Sequence, residues 1–308
     1  MATRAMIKNL ERDTDAILIT GPTASGKSAL AVELAGRHGG VVINADSMQV
    51  YDTLKILTAR PDEKEMGGIE HFLYGHVPAG QAYSTGAWLR EAEALVMRLR
   101  EEGRMPVFVG GTGLYFKALT GGLSDMPEIP ATTRDALRAR LKEEGAEALH
   151  AELAARDPQT AAQLRPGDGQ RIVRALEVIE ATGKPIHLFQ QSRGPMIVDP
   201  DKAQKIVVLP DRALLHGRID RRFETMLERG AVDEVRALLA LDLSPDMPVM
   251  KAIGVQQIAA MLRGEISEEE VIATGAAATR QYAKRQMTWF RNQLDESWQR
   301  IDRPESLL

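Results

Sequence analysis

The chain has 308 residues, 44% apolar and 27% charged, which is enough for one large or two ordinary domains and excludes a disordered chain. Zero cysteines exclude disulfides, thiolate metal sites and thiol nucleophiles. A net charge of −4 excludes a globally basic nucleic-acid binder, leaving only local basic patches for such a partner, and no apolar run is long enough to span a membrane.

Residues 1–14 lack the apolar core of a secretory signal, so a frayed N-terminus and a cytoplasmic protein are expected. Residues 16–20 form a short apolar run ending in a turn, which predicts a buried strand. Gly21-Pro22-Thr23-Ala24-Ser25-Gly26-Lys27-Ser28 follows, and residues 29–37 carry helical spacing. Strand, G-x-x-x-x-G-K-S and helix in that order are the context of a phosphate-binding loop. The glycines let backbone N–H groups turn inward, and the helix N-terminus adds partial positive charge. Lys27 brings a point charge to the outer phosphates, and Ser28 offers a hydroxyl to Mg²⁺. Pro22 has no N–H and cannot donate.

Residues 40–44 predict a second strand, running into Ala45-Asp46-Ser47-Met48-Gln49-Val50-Tyr51. In an open parallel sheet ligands sit at the carboxyl ends of strands, so Asp46 is expected to face the loop. There it holds Mg²⁺ through water, accepts a proton from a nucleophile, or caps a following helix. Residues 62–75 read as a polar loop whose Glu70, His71 and nearby His76 are too sparse for a metal site. Residues 84–102 predict an amphipathic helix, with Trp88, Leu89, Ala92, Leu95, Val96 and Leu99 on one stripe. A third strand at 106–109 leads into Gly110-Gly111-Thr112-Gly113, a second glycine loop on the same rim. Thr112 is a candidate for bonding a phosphate, a substrate base or backbone.

From Pro130 the periodicity is purely helical, over 133–144, 146–156, 158–164 and 168–182. The expected architecture is a P-loop α/β core, a parallel sheet flanked by helices, at 1–122 and 200–308, with an all-helical insertion at 123–199. Gln170, Arg171 and Arg174 begin the last insertion helix; they suit backbone phosphates or a splayed base, or form a solvated face with Glu177 and Glu180. A further strand is predicted at 204–209 and a helix from 211 to 230. On that helix Arg218 and Arg222, four apart, suit a diphosphate, with Ile219, Phe223 and Met226 elsewhere around it. Helices at 231–240, 255–263 and 267–293 follow. The last interleaves Arg280, Lys284, Arg285 and Arg291 with Tyr282, Trp289 and Phe290. Such a mixture binds single-stranded nucleic acid, or packs its aromatics inward as an ordinary amphipathic helix. Trp298 and the segment after Arg303 carry no signal. On spacing alone, phosphoryl transfer from ATP by a small-molecule or nucleoside kinase is the default.

Five stretches in register resemble something else. Residues 21–28, 44–51 (Asn-Ala-Asp-Ser-Met-Gln-Val-Tyr), 109–115 (Val-Gly-Gly-Thr-Gly-Leu-Tyr), 170–178 (Gln-Arg-Ile-Val-Arg-Ala-Leu-Glu-Val) and 280–291 (Arg-Gln-Tyr-Ala-Lys-Arg-Gln-Met-Thr-Trp-Phe-Arg) together resemble the tRNA dimethylallyltransferases, or tRNA isopentenyltransferases. The likeness runs from about residue 15 to residue 293. It implies transfer of a dimethylallyl group from dimethylallyl diphosphate to N6 of the adenosine 3′-adjacent to the anticodon, in tRNAs that read codons starting with U. It implies Mg²⁺ as cofactor, the tRNA anticodon stem-loop as partner, no membrane, and a monomer. On this likeness the loop holds the donor's diphosphate, with Thr23, Lys27 and Ser28 as leaving-group stabilisers, and Asp46 bonds N6 and acts as base. One arginine contacts the diphosphate; Arg218 is the preferred match and Arg222 the alternative. Ser47, Met48, Gln49, Thr112, Arg134, Gln170, Arg171, Ile172, Val173 and Arg174 are placed against tRNA. The helical insertion and the C-terminal helix with Arg280, Lys284 and Arg285 clasp its stem. The chain departs from the family pattern at Glu70-His71 (commonly His-His), at 55–61, Lys-Ile-Leu-Thr-Ala-Arg-Pro (commonly Asp-Ile-Gly-Thr-Ala-Lys-Pro), at Asp168-Gly169 (commonly Asn-Asp) and at Val255 (commonly Tyr). These departures touch fine substrate contacts. Without cysteine there is no zinc finger of the eukaryotic kind, and the likeness is to bacterial members.

Overall fold

A computed structural model describes residues 14–124, 126–191 and 194–304; the expectation for the N-terminus lies, apart from Thr14, outside them. The chain divides into two compact units, residues 1–120 with 197–308, and residues 121–196.

The first unit is built on six strands: β1 (Ala16–Thr20), β2 (Val41–Asn44), β3 (His71–Phe72), β4 (Pro106–Gly110), β5 (Ala203–Val208) and β6 (Gln299–Ile301). They pair in the order β3-β2-β4-β1-β5-β6, every pairing parallel. All five residues of β1 and of β4 are buried, as a parallel sheet covered on both faces requires. Alternate side chains leave on opposite faces. Ile17, Ile19, Val42, Val107, Val109, Ile206 and Val208 pack on one side with Leu30 and Leu34 of α1 (Lys27–Arg37). Leu18, Val41, Ile43 and Phe108 pack on the other, in a larger core. That core takes in α3 (Thr85–Glu101) and α4 (Gly113–Leu119), which follow the short α2 (Glu63–Met66). Trp88 of α3 stacks on Tyr115 of α4 with centroids 4.1 Å apart, and its Nε1 donates to Asn44 O at 2.9 Å, tying the helix to the end of β2.

Two readings are corrected. Residues 62–75, read as loop, contain α2 and the edge strand β3, and the silent C-terminal stretch supplies β6, with Trp298 buried edge-on to Phe116. Two- and three-residue strands are too short to show alternation.

The second unit contains α5 (Ala131–Glu144), α6 (Ala146–Arg156), α7 (Pro158–Ala161), α8 (Gly169–Thr182) and α9 (Ile186–Gln190) around its own core of Leu137, Leu149, Leu153, Ile172, Val173 and Leu176. Ile172 and Val173, placed against tRNA by the resemblance, are therefore corrected: they are 0% and 4% exposed, and their side chains are committed to packing. The chain then returns to the first unit with α10 (Arg212–Glu228), α11 (Ala231–Leu239), α12 (Val255–Leu262) and α13 (Glu268–Gln293). No helix among the described residues is long and apolar enough to cross a membrane.

Gly110 closes β4 where β2 passes, and a Cβ there would collide with the backbone of Ala45. Gly110→Ala is expected to pry β2 from β4 and to destabilise the protein by about 3 kcal/mol or more, read by urea denaturation.

Candidate active site

The site is assembled on the carboxyl rim of the sheet, where β1, β2 and β4 end side by side. After β1 the chain turns at Gly21, where a Cβ would sit 2.6 Å from Val208 O, so only glycine lets the loop leave the sheet this way. Ala24 and Gly26 both adopt the left-handed region, with φ of 62° and 87°, and Gly26 is the residue from which α1 starts. Lys27 folds back so that Nζ donates to Pro22 O at 3.1 Å. Pro22 contributes no donor but does contribute this acceptor. Ser25 is buried and its Oγ has no hydrogen-bond partner, while Ser28 is exposed on the first turn of α1. The Ser28 hydroxyl is a hard oxygen donor of the kind Mg²⁺ accepts beside phosphate oxygens and water.

Asn44 sets the second wall. Its Oδ1 accepts from Asp46 N at 2.8 Å, and its Nδ2 donates to Asp46 O and Leu73 O, both at 2.9 Å. Asp46 Oδ1 in turn accepts from Met48 N at 2.9 Å. No helix begins there, so the capping alternative falls away. Thr112 of the second glycine loop uses its hydroxyl to accept from Ser47 N at 3.0 Å, and its N–H donates to Ala45 O at 3.2 Å. Of the options left open for Thr112 the bond to backbone is present, and its hydroxyl also donates to Ser47 Oγ at 3.3 Å.

Thr23, Ala24, Asp46, Ser47, Met48, Arg222, Tyr282 and Arg285 share a cavity of about 290 Å³ with Leu57, Ile219, Phe223, Met226 and Ile253. Polar groups and an apolar floor thus line one space. The floor follows from how closely α10 meets α13: a Cβ at Gly275 would collide with the Phe223 ring. The expected segregation on α10 is thereby corrected, because Arg222 lines the cavity together with Ile219, Phe223 and Met226. Arg218 does not line it; its guanidinium lies by Gly26, 3.8 Å from where a Cβ would stand. Both arginines lie near the loop, Arg218 by Gly26 and Arg222 in the cavity with Thr23 and Ala24.

Burial dominates the electrostatics. It pushes the Lys27 ammonium down to about 8, with Asp46 opposing the fall and Arg222 adding to it. Burial also lowers Arg222, again opposed by Asp46. The phenols of Tyr74, Tyr115 and Tyr282 are raised, by burial first and the charge of Asp46 second. The charge of Asp46 is thus felt by two half-buried cations, Lys27 and Arg222, and by three tyrosines.

The cavity wall at Leu57 and Thr58 is held from behind. Glu234 of α11 accepts from the N–H groups of Lys55, Ile56 and Leu57 at 2.9, 2.7 and 3.0 Å. Gln49, expected against tRNA, donates its amide to Thr58 O and Ala59 O at 3.0 and 2.8 Å, so that end of the side chain braces the same turn. Glu234→Ala leaves three N–H groups without their acceptor. A loss of about 2–3 kcal/mol is expected, measured by urea denaturation.

The remaining predicted residues lie on surfaces. Lys284 and Arg285 are exposed on α13 beside a groove shared with Gln281, Thr288 and Trp289. Arg280 pairs with Asp220 of α10. Of the three aromatics on α13 only Phe290 is fully buried; Trp289 packs over Gly113 and Tyr282 lines the cavity. In the helical unit Gln170 and Arg171 are exposed, Arg171 lies 3.4 Å from Asp168, Arg174 pairs with Glu177 at 3.2 Å, and Arg134 donates to Ile129 O at 3.4 Å. The motif reading missed Asn44 and Gln286, although both fall inside stretches that carried the resemblance.

A P-loop fold with a half-buried lysine, a carboxylate and an apolar-floored cavity on one rim defines a transferase that works beside a phosphate-binding loop. The comparisons are specific about which kind. The chain belongs to the IPP transferase family: that family's model matches residues 49–293, and the isopentenyl transferase model matches residues 14–76. It is 80% identical over 302 residues to the tRNA dimethylallyltransferase of Rhizobium meliloti strain 1021, covering 98% of this chain and 100% of that protein. The solved full-length tRNA isopentenylpyrophosphate transferase of Bacillus halodurans is 35% identical with a TM-score of 0.66, covering 94% of this chain and 90% of that one. A eukaryotic dimethylallyltransferase caught acting on tRNA gives a TM-score of 0.77 at 29% identity, covering 89% and 69%. The kinase reading gives way to the prenyltransferase one.

Proposed function

We propose that this protein transfers the dimethylallyl group of dimethylallyl diphosphate to N6 of the adenosine 3′-adjacent to the anticodon, in tRNAs that read codons starting with U. The observation that carries this reading is the single cavity in which Thr23, Asp46 and Arg222 stand over the floor of Leu57, Ile219, Phe223 and Met226. A diphosphate suits its cationic side and a five-carbon group its apolar side.

In the reaction the C1–O bond of the donor breaks, the N6–C1 bond forms, one proton leaves N6, and diphosphate departs. Asp46, held by Asn44 through its backbone and by Met48 through Oδ1, takes that proton. Lys27, the loop amides of Ala24 and of residues 26–28, and Arg218 or Arg222 meet the charge that grows on the leaving oxygens, the Ser25 amide being spent on Pro22 O. Arg218 stands by Gly26 of the loop, and Arg222 lines the cavity. When bound through Ser28, Mg²⁺ would neutralise part of the diphosphate charge. The adenine reaches Asp46 by leaving the anticodon-loop stack, which costs less from a loop than from a duplex. Ser47, Met48 and Thr112 border it. Arg134, Gln170, Arg171 and Arg174 of the helical unit, and Lys284 and Arg285 of α13, serve the stem's phosphates. The enzyme acts as a cytoplasmic monomer.

The test is label transfer from radiolabelled dimethylallyl diphosphate to unmodified tRNA, run beside AMP as alternative acceptor. Label in tRNA and none in AMP is the expected result. Label in AMP alone would assign a free-nucleotide acceptor and reject the tRNA reading.

A further inference from the structure

Gln286 of α13 is 6% exposed and reaches between the two glycine loops. Its Oε1 accepts from Thr23 N at 3.0 Å, and its Nε2 donates to Gly111 O at 2.9 Å. Both ends of one amide are spent on backbone groups of different loops. A Cβ on Gly111 would collide with Nε2, so glycine at that position is what admits the amide. The same would-be Cβ would lie 3.5 Å from Asp46 Oδ2, and the next residue, Thr112, holds Ser47 N. A continuous set of bonds thus runs from the phosphate loop, through Gln286, to the strand ends that carry Asp46. The same bond removes Thr23 N–H from the cradle, and Pro22 has none, so the cradle's free donors begin at Ala24.

We propose that Gln286 is a positioning residue that fixes the separation of the two reactants, with the donor cradle on its Thr23 side and the acceptor at Asp46 on its Gly111 side. A leucine or methionine could fill the same space, and burying an amide is unfavourable unless both of its ends are bonded. Here both ends are bonded, and to parts that must stay in register for the reaction. Gln286 touches neither reacting atom; it acts through the loops. The proposal rests on the transfer reading given above.

Two variants test it, each measured against the unsubstituted protein. Gln286→Met removes both bonds. Its kcat is expected to fall about 100-fold, the cost of a small misplacement of reacting groups, with KM for donor and tRNA shifted by less than about threefold. Gln286→Glu supplies a signature that packing alone cannot. A neutral carboxyl offers an acceptor and a donor as the amide does, whereas a carboxylate offers only acceptors and sets one against Gly111 O. Asp46 lies on the Gly111 side of this position; on α13 itself the Tyr282 phenol shares a side-chain hydrogen bond with Gln286, and Arg285 is the charged neighbour of that phenol. The ratio of kcat for Gln286→Glu to that of the unsubstituted protein is expected to rise at least tenfold as pH falls and the new carboxyl is protonated. A flat ratio, or Gln286→Met with undiminished kcat, would overturn the proposal. If Gln286→Met does not fold, the pH profile of Gln286→Glu decides alone. Transfer failing in the unsubstituted protein would instead reject the reading beneath.

Discussion

Asp46→Asn is expected to lower kcat for transfer to tRNA by about 10³-fold, within the range a lost general base accounts for. The adenine amino group is a weak nucleophile because its lone pair is delocalised into the ring, so bond formation needs the proton removed as it proceeds. Asparagine preserves what else Asp46 does. Its Oδ1 still accepts from Met48 N, and its backbone keeps both bonds to Asn44. The turn therefore stays, and the loss reports the carboxylate. One side effect is also fixed in sign. Asp46 now holds the Lys27 ammonium up against burial, so its neutralisation lowers the Lys27 pKa below about 8. Pyrophosphate binding by Asp46→Asn should accordingly weaken at a lower pH than in the unsubstituted protein. Steady-state kinetics with labelled donor give the first result, and calorimetric titration with pyrophosphate gives the second. A kcat within about tenfold of the unsubstituted protein would remove Asp46 from the base role.

The second large effect is on Lys27. Lys27→Met is expected to lower kcat by about 10²–10³-fold, as loss of a preorganised charge at a leaving group does. Its pH signature follows from the depressed pKa in the free protein, about 8. A bound diphosphate favours the ammonium and raises that pKa. Lys27's contribution to affinity is then fully present below about 8 and is lost as pH rises toward the pKa of the complex. Across that window affinity falls by up to about tenfold per pH unit, and binding takes up a proton. Titration with pyrophosphate near pH 7 and near pH 9, in buffers of different ionisation enthalpy, reads both. Lys27→Met should bind more weakly and show no proton uptake of this origin. Equal slopes for the two proteins would mean that Lys27 does not face the diphosphate.

How much of this was legible in the sequence depends on how local each feature is. The loop was legible because Gly21, Gly26, Lys27 and Ser28 act through spacing within one turn, and the position of Asp46 followed from the end of β2. The apolar floor was not. Ile219, Phe223 and Met226 recur at helical spacing, which reads as core, and only the approach of α13 at Gly275 makes them line a cavity. Gln286 was beyond reach for a similar reason: its partner Thr23 is 263 residues away. On α8 the stretch was legible but its division was not. Arg171 and Arg174, three apart, share an outer face, while Ile172 and Val173 between them turn into the helical unit's core.

The central claim is that one rim of the sheet joins a five-carbon group to an adenine of tRNA. Its most direct test is mass analysis of nucleosides from unmodified tRNA after incubation with this protein, Mg²⁺ and dimethylallyl diphosphate. The account predicts N6-dimethylallyladenosine at the position 3′-adjacent to the anticodon, released diphosphate in equal amount, and both formed about 10³-fold more slowly with Asp46→Asn. Unchanged tRNA, with ATP consumed and a small molecule phosphorylated when those are supplied instead, would contradict it.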